Sequence, residues 1–214
     1  MGTWDYGLLD NDTAADAMDE VMSDVLQRAV RTVKSTLSRR SAGELAAQLG
    51  LLVHYWPWSF DTARADSDRA AIDAVRDGMA RNRAVLDEVA PEARELLDRL
   101  ASGKPLPKAP RFEALLRATH ARPYLQELAD DAIEEADSNL EDGSSAAQLD
   151  LLRVLAPHVE LPARTMRHWL RRCREAFAEA DDDERMFRRA HVEACKVFVS
   201  AASAEDDDDE HDDE

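Results

Sequence analysis

The chain has 214 residues, of which 44% are hydrophobic, so its composition is that of a globular protein and excludes a wholly disordered one. Its formal net charge of −18 argues against direct binding of nucleic acid, because contacts to phosphate need a positive surface. Its two cysteines are too few for a disulfide framework, and no stretch approaches the roughly 18 consecutive apolar residues that would predict a membrane-spanning helix.

The first element is a polar segment, DNDTAAD, that precedes a long run with helical periodicity. Side chains at residues 10–13 can accept hydrogen bonds from the free amides of a first helical turn, and the carboxylates suit the positive end of the helix dipole. The preceding glycine and tryptophan then allow the chain to turn and fold against the helix. We therefore interpret this opening as an N-terminal structural motif that consists of Trp4, Gly7, Asn11, Asp12 and Asp16.

The same carboxylates allow a second interpretation, a site for a divalent cation. Clustered carboxylate oxygens are the ligands that hard cations prefer, but the segment lacks the glycine and the distal glutamate of an EF-hand loop. The ligands would be Asp5, Asp10, Asp12 and Asp16. We prefer the structural interpretation.

The opening resembles that of a family of uncharacterised bacterial proteins, in which Met-Gly-x-Trp-x-x-Gly is followed by Asn-Asp-x-Ala and an acidic position before a helix. The matching residues are Met1, Gly2, Trp4, Gly7, Asn11, Asp12, Ala14 and Asp16. The resemblance covers about the first 20 residues, and the chain departs from it at Asp5, Tyr6, Leu8 and Leu9. Because this family has no established activity, the resemblance implies a bacterial origin and no catalytic residue.

Four predicted helices follow in the first half of the chain. Apolar residues at spacings of three and four predict one long helix, or two with a kink, from Asp12 to about Ser38. A capping box of Ser41 and Glu44 predicts that the next helix begins there and ends near residue 54. Similar periodicity predicts a third helix over 66–88 and a fourth over 91–100, with a proline in its first turn.

An aromatic connector, HYWPWSF, interrupts these helices at residues 54–60. Pro57 ends the second helix because it lacks an amide hydrogen and disfavours helical geometry at the residue before it. Aromatic residues at this density are typical of a plug at the end of a helical bundle. If these aromatic residues are exposed, they would instead form a partner-binding hot spot. The candidate residues for it are Trp56 and Trp58.

A linker with one glycine and three prolines, SGKPLPKAP, precedes the second half of the chain. It could divide two subdomains near 103–110, but we prefer an ordered crossover within a single domain of residues 1–203. Beyond it, further helices are predicted at 110–119, 123–141, 145–156, 162–179 and 182–202. Strand-like alternation is absent, so we predict an all-α fold, a bundle of about eight or nine helices.

The segment LPARTMRHWLRRCREAF has two distinct faces at helical spacing. One is apolar and consists of Met166, Trp169, Leu170, Cys173 and Phe177. The other consists of Arg164, Arg167, Arg171 and Arg174. Guanidinium groups fork onto carboxylates, so the arginines could bind the acidic C-terminal residues or an acidic partner. The alternative is a solvated face whose charges pair with the many carboxylates of the chain.

The sequence carries no recognisable catalytic or cofactor-binding motif. It has no Gly-x-Ser-x-Gly element and no glycine-rich phosphate loop. His191 and Cys195 have a spacing that suits zinc, but they supply only two ligands. Cys173 and Cys195 both lie in helical patterns among apolar residues, which favours buried free thiols over a bridge. We therefore assign no catalytic residue, no cofactor and no metal.

The C-terminal residues 204–214 are strongly acidic, and the last ten carry nine carboxylates and neither Lys nor Arg. Such a run repels itself and buries no apolar area, so we predict a disordered tail.

An acidic helical scaffold without a catalytic motif favours a noncatalytic protein-interaction module that engages a basic partner, of the immunity, inhibitor or nucleic-acid-mimic type. Two alternatives stay open, a helical enzyme whose site is assembled from residues distant in sequence and a structural or regulatory subunit of an oligomer. The N-terminus carries Asp5 and Asp10 and no basic segment followed by an apolar one, so we expect no signal peptide and a cytoplasmic location. We predict no particular oligomeric state.

Overall fold

The computed structural model describes residues 8–9, 12–60, 68–140, 145–181 and 184–206, without the side chains of Trp58, Met186 and residues 203–206. Its α-helices are α1 (Asp12–Thr32), α2 (Arg39–Tyr55), α3 (Arg69–Arg81), α4 (Arg83–Val89), α5 (Arg94–Ser102), α6 (Glu113–Leu116), α7 (Arg122–Asn139), α8 (Ala146–Leu155), α9 (Ala163–Glu179) and α10 (Arg185–Asp206). Short 3₁₀ turns occupy Pro57–Phe60, Pro91–Ala93 and Ala156–His158. These residues contain no β-strand, which confirms the predicted all-α class.

The described residues form two compact units. The central unit is Glu20–Leu125, and the terminal unit comprises the described residues up to Asp19 together with those from Gln126 onward. The linker at 103–110 lies inside the central unit. The single domain of residues 1–203 stays a prediction.

The second helix begins at a different serine from the one that the sequence pattern indicates. Helix α1 ends at Thr32, and the N-cap of α2 is Ser38. The Ser41 amide donates to Ser38 Oγ at 3.2 Å, and the Ser38 amide donates to Ser41 Oγ at 2.8 Å. The capping box is therefore the pair Ser38 and Ser41, and the prediction that Ser41 and Glu44 form it is wrong, because Ser41 already lies in the first turn.

The predicted helix over 66–88 is broken at Asn82. Its side-chain amide donates to the Gly78 carbonyl at 2.9 Å, and its side-chain oxygen accepts from the Leu37 amide at 3.0 Å. Asn82 is buried, so both polar groups of the side chain need such partners. These contacts separate α3 from α4.

The core of the central unit is built around α2, whose residues from Ala42 to Val53 are all buried except Glu44. Helix α2 packs against α4 and α6, and α3 packs against α5. Gly43 permits the segment between α6 and α7 to approach α2 closely, because a Cβ atom there would collide with the carbonyl oxygen of Thr119.

The terminal unit is organised by α8, α9 and α10. Helices α9 and α10 form an antiparallel pair in which Cys173 faces Cys195, and α10 also packs against α8. The sequence pattern of Ser145 and Gln148 predicts a capping box at the start of α8, and this prediction is wrong, because the Ser145 hydroxyl donates to the Leu140 carbonyl instead of capping the helix. Helix α10 continues to Asp206, three residues into the predicted tail, and residues 207–214 lie outside the described ones.

Candidate interaction site

Helix α9 has the two faces that its sequence predicts. Met166, Trp169 and Cys173 are buried, and Leu170 and Phe177 are half-buried at the edge of the same face. The four arginines on the other side are all exposed. We call them the Arg stripe: Arg164, Arg167, Arg171 and Arg174. They extend over about 15 Å of helix, at 1.5 Å per residue.

The Arg stripe has few partners among the described residues. Arg171 donates to His168 Nδ1 at 2.9 Å. No carboxylate oxygen of the described chain lies within 4 Å of the guanidinium groups of the stripe. A groove of about 430 Å³ beside them is lined in part by Leu170 and Glu175. With respect to the described residues the arginines are therefore available to anions, and the alternative that they pair with carboxylates elsewhere in the chain stays a prediction.

Arg172, which follows the stripe residue Arg171, behaves differently. Its guanidinium lies 3.8 Å from the carboxylate of Asp137 and donates to the Asp137 carbonyl oxygen at 3.3 Å. The indole of Trp169 also donates to the Asp137 carboxylate, at 2.6 Å. One step along a helix rotates a side chain by about 100°. The flank of α9 that contacts α7 is thus separate from the flank that carries the stripe.

A second charged surface lies on α7. We call it the α7 acidic face, and it consists of Glu127, Asp130, Asp131, Glu134, Glu135 and Asp137, all of which are exposed. Asp131, Glu134 and Glu135 have no cationic side chain within 4 Å in the part of the chain that the structure describes. This face does not stand out from the sequence pattern, because carboxylates are abundant throughout the chain. The signal that identifies it is the absence of any Lys or Arg between Arg122 and Arg153.

The aromatic connector is mostly interior. Trp56 is 8% exposed and Phe60 is buried in the central unit, while the side chain of Trp58 lies outside the described part. The ring of His54 packs on Phe112 at a centroid distance of 4.3 Å. This burial favours the bundle-plug interpretation for Trp56. The role of Trp58 in partner binding stays a prediction.

Most of the N-terminal motif lies outside the described residues, including Trp4, Gly7 and Asn11. Asp12 is the first residue of α1, as the helix-start interpretation predicts, and Asp12 and Asp16 are both exposed. Asp5 and Asp10, which the second interpretation makes ligands of a divalent cation, also lie outside the described residues.

The His191 and Cys195 pair has local hydrogen-bonding partners instead of further metal ligands. Nδ1 of His191 lies 3.1 Å from the Phe187 carbonyl oxygen, and Nε2 lies 3.3 Å from Ser145 Oγ. In the described ranges no three His, Cys, Asp or Glu residues cluster so that they could hold a metal ion. None of the helices described is both long and apolar enough to cross a membrane.

The N-terminal part of the chain matches a protein-family model. The family model "Domain of unknown function (DUF4259)" matches residues 2–51. The match confirms the resemblance to an uncharacterised family and extends it beyond the first 20 residues, through α1 and most of α2. The Arg stripe and the α7 acidic face lie outside the DUF4259 match. No curated protein and no solved structure matches the chain.

Proposed function

We propose that the protein is a noncatalytic protein-interaction module of the bacterial cytoplasm, which uses the α7 acidic face to bind a basic partner. The observation that supports this proposal is the unpaired state of Asp131, Glu134 and Glu135 relative to the described residues. Carboxylates that paired with cations of the same chain would have to exchange these partners on binding. Asp131, Glu134 and Glu135 have no such partner among the described residues and carry no such cost.

The helical scaffold suits electrostatic recognition. Spacings of three and four residues place the six carboxylates on one side of α7, where their fields add. Such a surface accelerates encounter with a partner of opposite charge and opposes binding of acidic proteins. Immunity proteins, inhibitors and mimics of nucleic-acid charge are the classes whose work needs a surface of this kind.

The proposal is tested by affinity capture with two variants that lose the same charge. The α7 variant carries Asp131→Asn, Glu134→Gln and Glu135→Gln. The control variant carries Asp77→Asn, Glu92→Gln and Glu113→Gln, which removes three exposed carboxylates from the central unit.

Tagged full-length chains are exposed to bacterial lysate at low salt, and the captured proteins are identified by mass spectrometry. We expect the unmodified chain and the control variant to recover a basic protein that the α7 variant loses. Recovery of that protein by all three chains alike, or recovery of acidic proteins alone, would contradict the proposal.

A further inference from the structure

The Arg stripe is a line of exposed cations on an otherwise acidic chain. Within the described residues its guanidinium groups have no carboxylate partner, whereas the neighbouring Arg172 pairs with Asp137. Guanidinium groups bind carboxylates in a forked geometry, and several of them in a row favour a ligand with several carboxylates. The occupant that fits this surface is therefore an acidic peptide segment.

The end of α10 lies at about the same level along the helix axis as one end of the stripe. Cys173 of α9 and Cys195 of α10 face each other across an antiparallel pair, with sulfur atoms 3.7 Å apart. From Cys195 to Asp206 the helix advances about 16 Å, and from Cys173 back to Arg164 it advances about 13 Å in the same direction. The C-terminal end of α10 is thus within about one helical turn of the level of Arg164.

The residues that follow α10 are DDDEHDDE, residues 207–214, which contain seven carboxylates and no Lys or Arg. Eight extended residues reach about 26 Å, whereas the stripe extends over about 15 Å. The segment can therefore leave the end of α10, pass around α9 and reach the arginines at the Arg164 end of the stripe.

From this placement and charge complementarity we propose that residues 207–214 bind the Arg stripe of their own chain. The bound segment occupies the stripe and so competes with any separate acidic ligand. Linkage through a short segment gives an effective concentration in the range of about 1 mM, so weak intrinsic affinity is enough for substantial occupancy. This inference is independent of the α7 acidic face.

The test uses full-length chains and a labelled synthetic peptide, DDDEHDDE, as the probe. In the tail-neutral chain the seven carboxylates of 207–214 are replaced by amides. In the stripe variant Arg167 and Arg171 are replaced by Gln, and a control variant carries Arg31→Gln and Arg40→Gln, two exposed arginines of the central unit. Fluorescence anisotropy at low salt measures peptide affinity for every combination.

Neutralising the tail should increase peptide affinity at least fivefold when the stripe is intact, because the competing segment is removed. The increase should stay below twofold in the stripe variant, and the control variant should behave like the unmodified chain. This comparison separates release of the stripe from the general loss of repulsion, which acts on all chains alike.

Three results would overturn the inference. Equal peptide affinity of the unmodified and tail-neutral chains would assign the stripe to a separate acidic partner. An equal increase with and without the stripe arginines would show that the tail acts only through overall charge. An increase that disappears when the protein is diluted tenfold would show binding between copies of the chain.

Discussion

Cys173 Sγ and Cys195 Sγ lie 3.7 Å apart between α9 and α10, as two buried free thiols. The hydrogen bond with Cys173, together with burial, raises the pKa of the Cys195 thiol well above its usual range. The side chain therefore stays protonated and neutral in the folded chain. This environment agrees with the prediction of buried free thiols.

The raised pKa of Cys195 predicts a loss of stability at alkaline pH. An unfolded cysteine ionises near pH 8.5, so above this pH the unfolded chain binds fewer protons than the folded chain. The free energy of unfolding then falls by up to about 1.4 kcal/mol per pH unit for this group. Urea titrations between pH 8 and 10 should show this extra slope in the unmodified chain and not in Cys195→Ala. If the free energy of unfolding had the same pH dependence in the two chains, the prediction would be contradicted.

The hydrogen bond from Trp169 to Asp137 predicts a difference between two substitutions. Trp169 is fully buried, so Asp137→Ala leaves its indole N–H without an acceptor and should reduce the free energy of unfolding by about 1–3 kcal/mol. Asp137→Asn keeps an acceptor and should cost less than half as much. Urea denaturation measures both, and equal losses would show that the indole does not depend on this acceptor.

Gly43 and Gly103 should respond differently to alanine. Gly43→Ala forces a methyl group against the backbone carbonyl of Thr119, and such overpacking typically costs about 1–3 kcal/mol. At Gly103 there is space, but φ is +65°, so alanine there should cost about 1 kcal/mol through backbone strain alone. Thermal unfolding should give Gly43→Ala a lower melting temperature than Gly103→Ala. The reverse order would refute the close approach at Gly43.

The observed cap of α2 is testable against the one that the sequence pattern indicates. Ser38→Ala removes a capping hydroxyl and should destabilise the chain by about 1 kcal/mol. Glu44→Ala should have a smaller effect, because among the described residues its carboxylate accepts only from Gln48 one turn further along. If urea denaturation showed a larger loss of stability for Glu44→Ala than for Ser38→Ala, the result would support the capping box of Ser41 and Glu44 instead.

Local patterns predicted the helical class and the two faces of α9, because the spacing of apolar side chains depends on neighbouring residues alone. The break between α3 and α4 was not predictable in this way. At this break the Asn82 side chain accepts a hydrogen bond from Leu37, which lies 45 residues earlier in the chain. The cap at Ser38 was missed for a different reason, since two serines three residues apart fit the same pattern and only their backbone conformations distinguish them.

The candidate interaction surfaces were likewise predictable only in part from local sequence patterns. Helical spacing placed the Arg stripe on one face, but its lack of carboxylate partners depends on how α7 and α9 pack, which brings Asp137 to Arg172 instead. The sequence marks the α7 acidic face only by the missing Lys and Arg residues, and its exposure follows from packing. Burial of Trp56 likewise depends on the core around α2.

The most direct test of the account is the affinity of the captured basic partner for the α7 variant, measured by isothermal titration calorimetry at physiological salt. We expect Asp131→Asn, Glu134→Gln and Glu135→Gln together to weaken binding at least tenfold. The control variant with Asp77→Asn, Glu92→Gln and Glu113→Gln should bind within twofold of the unmodified chain. Equal affinities of the two variants would contradict the claim that the α7 acidic face recognises the partner.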